Sequence, residues 1–359
     1  MKKVMLFIMS VLLTISLFSC KEDKPLVAYN YNYYDYMNTF ITVNFMTYDD
    51  QTAATYESHI VDMLQMYHDL TDNYRDLSVD SSYLENIYSI NQKIGQQLEI
   101  DEPLYRILEE AKSIETLTDG YFDITIGKAI DVWKALIEAN YDNNIIPDVN
   151  YQAALDTINA LDFTSNGFYL SEVDGHYYIQ TQGENTKLDL GAIAKGYATQ
   201  QISDYLASEG VDYYFINSGS SSLYLALNSN VDRDYFNIGL TCPVCDTSGT
   251  YGTVQNVMNQ SVTTSGDYEQ YVLHNDLRYH HIVSPMTKMP MQYYHTVTLI
   301  GDDAGLLDAL STALFSMPND VFNAWMDAHQ SELNLSYIRF NYDETITQSL
   351  LGDLVFEGN

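Results

Sequence analysis

Asp308 and Thr312 lie four residues apart in the run Asp308-Ala309-Leu310-Ser311-Thr312. On a helix that spacing puts a carboxylate and a hydroxyl on one face. With Asp303 near the helix start, these hard oxygens suit Mg²⁺, which takes few protein ligands and keeps water or phosphate oxygens for the rest. The same residues also describe a solvated aspartate and a threonine bonded back to a helix carbonyl. His280 and His281 precede Ile282-Val283, a buried-strand pattern that turns one imidazole inward. An inward histidine is either a proton acceptor or a hydrogen-bonded core residue. Asp123 follows Tyr121 and Phe122 and is either a partly buried acid in need of a partner or a turn cap. The stretch Lys187 to Tyr197, KLDLGAIAKGY, ties these together. Leu188 and Leu190 read as the end of a strand and Gly191 as a tight turn. The helix behind it runs through Ile202, Tyr205 and Leu206 to a C-cap at Gly210. Glycine lets the backbone pass close to a ligand, and a helix N-terminus offers free N–H groups and a positive dipole end. Asp189 and Lys195 place one charge of each sign there; standing alone, the pattern is equally plain strand–turn–helix architecture.

The elements that would hold these residues mix helices and strands without strict alternation, which predicts an α+β fold. Residues 40–45 alternate as a strand. Helices are expected at about 53–74, with Ile60, Met63, Leu64 and Tyr67 on one face, at 82–90, and at 103–117 with Pro103 in the first turn. A turn and short strand at 121–125 and a polar helix at 147–160 follow. Strands 168–171 and 176–181 form a hairpin across Asp174-Gly175. Strands are expected at 213–216, 222–227 and 235–240, then a loop at 242–252 and a turn at 263–267. Strands at 279–283 and 294–300, helices near 303–316 and 319–331, and strands at 335–341 and 346–356 close the chain.

The N-terminus reads as a processing signal. Met1-Lys2-Lys3 is a short positive region, and Val4 to Phe18 is an apolar run too short for a spanning helix. It ends in Leu17-Phe18-Ser19-Cys20, a pattern like a bacterial lipobox, so residues 1–19 are expected to be removed and Cys20 lipidated, giving a cell-envelope location on the periplasmic or surface face. Lys21-Glu22-Asp23 resembles a surface-export tag. Residues 20–36, rich in Tyr and Asn, read as a tether, and the folded domain as 37–359. The formal charge is −33 with only 16 basic residues, which argues against nucleic acid as a partner. An anionic ligand therefore needs a metal or backbone N–H groups. Beyond Cys20, only Cys242 and Cys245 remain, and a lone Cys-Pro-Val-Cys in an oxidising compartment reads as a loop disulfide rather than a zinc site. The 32 tyrosines are spread along the chain and define no stacking site.

Five segments, in order, resemble one family. Asp119-Gly120-Tyr121-Phe122-Asp123-Ile124-Thr125 is similar to "T-G-x-F-D-x-T", and Asp189 to Ala198 to "D-L-G-x-I-A-K-G-Y-A". Thr264-Ser265-Gly266-Asp267-Tyr268 is similar to "T-S-G-D-Y", Tyr279 to Ile282 to "Y-x-H-I", and Asp308 to Leu314 to "D-A-L-x-T-A-L". The chain thus resembles the ApbE family of FAD:protein FMN transferases from about Met37 to Met317. The resemblance implies largely antiparallel sheets in a T-fold-related architecture and FAD as the substrate, with Mg²⁺ on its pyrophosphate. Metal ligands are implied at Asp308, Thr312 and the carbonyl of Ala192, with a further contact near Gly305. Flavin contacts are implied at Met37, Tyr121, Phe122, Asp123, Asp189, Lys195, Thr264, Ser265 and Ile282. The implied reaction is attack by a Thr or Ser hydroxyl of an exported protein, such as a respiratory ion-pump subunit, on the FMN phosphorus. Lys195 steadies the pyrophosphate, His281 takes the proton, and AMP leaves.

The chain departs from that pattern at three places. Met37-Asn38-Thr39 replaces Met-Gly-Thr, and Gly219-Ser220 replaces a double glycine. In the segment "H-I-x-D-P-x-T-G-x-P", Ser284 replaces the aspartate and Lys288 the glycine. Two alternatives therefore stand beside the transferase: a hydrolase that splits FAD to FMN and AMP, and a flavin-binding lipoprotein without catalysis.

Overall fold

Alternation of apolar and polar residues, with β-branched and aromatic side chains on the inner face, builds an eight-stranded sheet at the centre of the molecule. The computed structural model describes residues 25–219, 221–227, 235–245 and 249–359. The signal segment, Cys20 and Ser220 lie outside these residues. Along the sheet the strands run β1 (Val27–Tyr33), β2 (Ile41–Thr47), β6 (Tyr213–Ser218), β7 (Ser222–Leu227), β10 (Gln260–Gly266), β13 (Tyr294–Gly301), β14 (Ser336–Asn341) and β15 (Ile346–Ser349). Every neighbouring pair is antiparallel. The second layer consists of helices α1 (Asp50–Thr71), α6 (Ala194–Ser208) and α7 (Ala304–Phe315). Leu64, Ile202 and Leu206 bury against β2 and β6, and Leu310 and Leu314 join the core that holds Val297 and Leu299. On the β7–β10–β13–β14 side, β8 (Phe236–Thr241), β9 (Thr250–Val257) and β16 (Val355–Gly358) form a small sheet. Its Leu240 and Val254 pack against Val262, Ile300 and Ile338. All eight residues of β13 are buried.

The periphery follows the same logic. The hairpin β4 (Gly167–Val173) and β5 (His176–Gln182), with β3 (Gln97–Ile100), covers α3 (Glu102–Leu117). Asp174 and Gly175 have φ of 53° and 81°, as a two-residue hairpin turn requires. Helices α4 (Gly127–Asn140) and α5 (Asp148–Asn159) pack on β11 (Tyr271–His274) and β12 (Leu277–His280) around Trp133, while α2 (Ile87–Asn91) and α8 (Asn319–His329) close the outer edges. Gly210, at φ 72°, ends α6 as expected, with Val211 N–H donating to the Leu206 carbonyl. Cys242 and Cys245 are disulfide-bonded, and Arg278 Nη2 donates to the Pro243 carbonyl at 2.9 Å, which ties the loop down. Among the described residues no helix is long and apolar enough to cross a membrane.

Several expectations are corrected. Residues 27–33 are not part of a tether but an edge strand. Tyr29, Tyr31 and Tyr33 point inward and Asn30 and Asn32 outward, so the Tyr/Asn alternation is a period-two amphipathic pattern. Tyr29 and Tyr31 stack on Phe45 of β2. Residues 263–266, expected as a turn, lie on β10. Its small polar side chains look like turn chemistry, yet they fit a strand enclosed on both faces. The expected strand at 121–125 is a turn that leads into α4, and the expected helix at 82–90 shrinks to α2 because Asn86 caps it through the Ser89 amide. The last expected strand divides into β15 and β16, in two different sheets.

Candidate active site

The site is built where α6 and α7 cross. Gly196, in the first turn of α6, touches α7 so closely that a Cβ there would sit 2.2 Å from the Ala304 carbonyl oxygen and 2.4 Å from Asp308 Cβ. That approach lets the Gly196 N–H donate to Asp308 Oδ2 at 2.8 Å. Lys195 Nζ lies 3.9 Å from the same oxygen and donates to the Gly191 carbonyl at 3.2 Å. Asp308 is 5% exposed. Burial raises its pKa, opposed by the Lys195 charge and the Gly196 N–H. One turn on, Thr312 Oγ1 lies 3.4 Å from Ser265 Oγ, which also bonds Ser311 Oγ at 2.8 Å. Strand β10 therefore delivers Ser265 to α7.

Around this pair opens a cleft of about 350 Å³. Of the residues expected in the site, Met37, Tyr121, Phe122, Asp123, Asp189, Ala192, Lys195, Thr264, Ser265, His281, Ile282, Asp308 and Thr312 all line it. Segments far apart in sequence converge because the two helices, β10 and the 281–285 segment meet at one end of the central sheet. Among the described residues no three His, Cys, Asp or Glu side chains converge as a metal cluster. The donor set at α7 is one buried carboxylate and one hydroxyl, hard oxygens that suit a hard cation with most of its shell left to other ligands.

Gly305 is placed apart. It does not line the cleft; a Cβ on it would meet Glu110 Oε1 at 3.0 Å and Asp303 Oδ1 at 3.3 Å. Asp303 caps α7 by accepting from the Leu306 N–H at 2.9 Å, which leaves it a structural role. Burial and the Asp303 charge push Glu110 up to about 7. Asp123 and Asp189 line the cleft but are also braced. Asp123 Oδ1 accepts from the Thr125 N–H and hydroxyl, both at 2.7 Å. Asp189 accepts from Gly191 N–H at 2.8 Å and Asn73 Nδ2 at 2.7 Å.

The two histidines separate cleanly. His280 is fully buried, with Nε2 2.9 Å from the Met291 carbonyl and Nδ1 accepting from the Ile282 N–H at 3.3 Å. It is the core histidine. His281 faces the cleft with an accessible edge. Its surroundings, with His280 and Lys195 as further causes, push its pKa down, opposed by a hydrogen bond with the Gln270 backbone, and because the side chain is exposed solvent screens much of that shift. Ser284 is 1% exposed and lies outside the cleft lining. Its hydroxyl accepts from the Met286 N–H at 3.3 Å and its carbonyl from Lys288 N–H at 2.8 Å, so it closes the 284–289 turn.

Sequence reasoning missed Tyr74, Lys134 and Glu269, which also line the cleft. Lys134 Nζ donates to the Tyr74 hydroxyl at 2.7 Å. Burial raises the Glu269 pKa, opposed by Lys195. Lys134 was traceable through the helical spacing of Ala129, Trp133, Leu136 and Ile137, which defines α4 and its outer face.

The fold brings a helix-borne carboxylate and hydroxyl together with a lysine and a histidine in one cleft. The ApbE family model matches residues 37–335, and the chain belongs to that family. A protein named FAD:protein FMN transferase from Klebsiella pneumoniae is 29% identical over 251 residues, covering 69% of this chain and 73% of its own length. One of the same name from Haemophilus influenzae is 24% identical over 325 residues, 89% of each chain. Among solved structures, an ApbE protein from Thermotoga maritima superposes with a TM-score of 0.71 at 23% identity, over 90% of this chain and 97% of its own. The flavin transferase ApbE from Vibrio cholerae gives 0.65 at 20% identity, over 90% and 97%. These similarities confirm the mixed helical and antiparallel architecture.

Proposed function

We propose that this protein transfers FMN from FAD to a Thr or Ser hydroxyl of an exported protein and releases AMP. The observation that carries this reading is the meeting of Asp308, Thr312, Lys195 and His281 in one cleft, in a chain whose relatives are named for that reaction. The acceptor oxygen attacks the FMN phosphorus, the bond from that phosphorus to the bridging pyrophosphate oxygen breaks, and AMP departs with that oxygen. The hydroxyl proton passes to His281. With its pKa pushed below the usual imidazole range, the neutral imidazole dominates at pH 7 and offers a lone pair for the task. Lys195, held beside Asp308 and the Gly191 carbonyl, sets a positive charge against the phosphates. Asp308, Thr312 and the carbonyl of Ala192 would hold Mg²⁺, which would offset negative charge on the pyrophosphate. The cleft's other walls, Met37, Tyr121 and Ile282 among them, would hold the flavin and exclude water.

We further propose a lipid anchor on Cys20 and a cell-envelope location; the lipobox-like segment supports both. The acceptor would be an exported redox protein such as a subunit of a respiratory ion pump.

The test combines the chain from Pro25 onward with FAD, Mg²⁺ and a threonine-bearing acceptor protein. In-gel flavin fluorescence and AMP release are followed. Covalent flavin on the acceptor, abolished in Asp308→Ala, is expected. AMP and FMN without covalent flavin would assign the cleft to hydrolysis instead, and tight FAD binding with neither product would leave only a binding role.

A further inference from the structure

Met37 and Asn38 form the central pair of a tight turn, with Thr39 N–H donating to the Tyr36 carbonyl at 3.2 Å. Their φ angles are 50° and 52°, both in the left-handed region. Two successive positive φ values are what a type I′ turn demands, and such turns favour Asn-Gly or Gly-Gly. Here the first position is methionine, a poor residue for it, and the second has no glycine. Something outside the turn must hold it. Its far side is already fixed: Gly219, itself at φ 71°, lies so close to Thr39 that a Cβ would sit 2.2 Å from Thr39 Oγ1. Met37, Asn38 and Thr39 all line the cleft, so the turn's shape is the shape of one cleft wall.

The group that grips the strained residue comes from the last turn of α1. The Met37 N–H donates to His68 Nδ1 at 3.0 Å. Nδ1 therefore carries the lone pair and Nε2 the proton. The Arg75 guanidinium, held by Asp72 at 2.9 Å, lies 3.5 Å from Nε2; both are then donors, so this contact is not a hydrogen bond and the Met37 amide is the partner that counts. His68 does not line the cleft; it reaches the site only through the Met37 amide.

We propose that His68 is a positioning residue that holds the left-handed Met37–Asn38 turn in the shape the flavin cleft needs. It offsets the strain of a turn that carries no glycine. Its effect on ligand affinity rests on the flavin reading of the cleft; the clamp itself does not.

The test reads both separately, in His68→Ala, His68→Asn, Asn38→Gly and the His68→Ala/Asn38→Gly double variant, each checked for a cooperative thermal transition. Asn is the informative replacement because its Oδ1 reaches nearly where Nδ1 sits and can accept the same hydrogen bond. Without flavin, hydrogen exchange at the Met37 amide should be slow in the wild type, fast in His68→Ala and slow again in His68→Asn. With FAD, His68→Ala should raise Kd and KM by about five- to tenfold while kcat at saturation changes little, and His68→Asn should recover most of the loss. In the Asn38→Gly background the His68→Ala effect should shrink, because glycine takes a positive φ without strain. Unchanged exchange in His68→Ala overturns the clamp. So does failure of His68→Asn to restore protection, or an equal His68→Ala loss in both backgrounds. If the wild type binds no FAD while exchange still follows His68, the clamp stands and the flavin reading fails.

Discussion

A histidine proposed as a base must be neutral before the acceptor arrives, and the surroundings of His281 push it that way. Its surroundings, His280 and Lys195 all disfavour its charged form and lower its pKa, although the side chain is exposed and solvent screens part of the effect. Its folded-state pKa thus lies below the unfolded value near 6.5. Just below 6.5 the unfolded chain binds a proton that the folded chain refuses, so this group's contribution is complete above about 6.5 and is lost as pH falls from there to the lower folded value, by an amount that solvent screening keeps small. The catalytic consequence has the same sign. The acid limb of the transfer rate should fall below the roughly 6.5 at which an unperturbed imidazole loses activity. A single-turnover pH profile checks this, and an acid limb near 6.5 would remove His281 from the role. His281→Ala should lower the rate by about 10²–10⁴-fold at pH 7.5 with FAD binding largely kept.

At the scale of elements, the crossing of α6 and α7 holds the residues proposed for the chemistry, and Gly196 makes the crossing close enough. Gly196→Ala would drive a methyl into the Ala304 carbonyl and Asp308 Cβ, atoms that cannot swing aside. The helices must separate, at a cost of about 1–3 kcal/mol or more, and the bond from the Gly196 amide to Asp308 lengthens. We expect a lower Tm and at least tenfold less transfer. Gly210→Ala, at a site with no neighbour within 4 Å but φ of 72°, should cost stability without comparable loss of activity. Equal effects on activity would mean that helix spacing does not govern the site. This crossing was legible in sequence, since the glycine turn, the lysine and the Asp–Thr pair sit in local patterns with a definite period. Less legible was what depends on the partner layer. Thr263 to Gly266 carry turn-forming residue types, and only the cover from α7 on one face and β8–β9 on the other makes them a central strand. Helix α4 escaped notice despite its apolar spacing, and with it Lys134 was lost from the site. His68 carries no local signal, because its role arises from a contact 31 positions away.

At the scale of the whole molecule, the first strand changes how the body joins what precedes it. With β1 starting at Val27, the stretch from Cys20 to Val27 spans at most about 25 Å even when fully extended. A lipid on Cys20 would therefore keep the domain close to a membrane surface rather than on a long leash. The acidic surface implied by a formal charge of −33 would be repelled by anionic headgroups only within about 8–10 Å at physiological salt. Strand β1 also protects the sheet. It pairs along the whole of β2, it lays Tyr29 and Tyr31 on Phe45, and the Tyr29 hydroxyl donates to Asp50 at the start of α1 at 2.8 Å. A chain beginning at Met37 would expose the backbone edge of β2 and the Phe45 ring, a surface prone to pairing with another copy. Losing three half-buried tyrosines and a full ladder should cost about 2–4 kcal/mol and lower Tm by roughly 3–6 °C relative to a chain beginning at Pro25. Thermal unfolding and light scattering of the two proteins decide the point. Equal Tm and equal monodispersity would return residues 27–33 to the status of a tether. A lower Tm with self-association would make β1 part of the folded domain, so that membrane distance and sheet stability are set by the same seven residues.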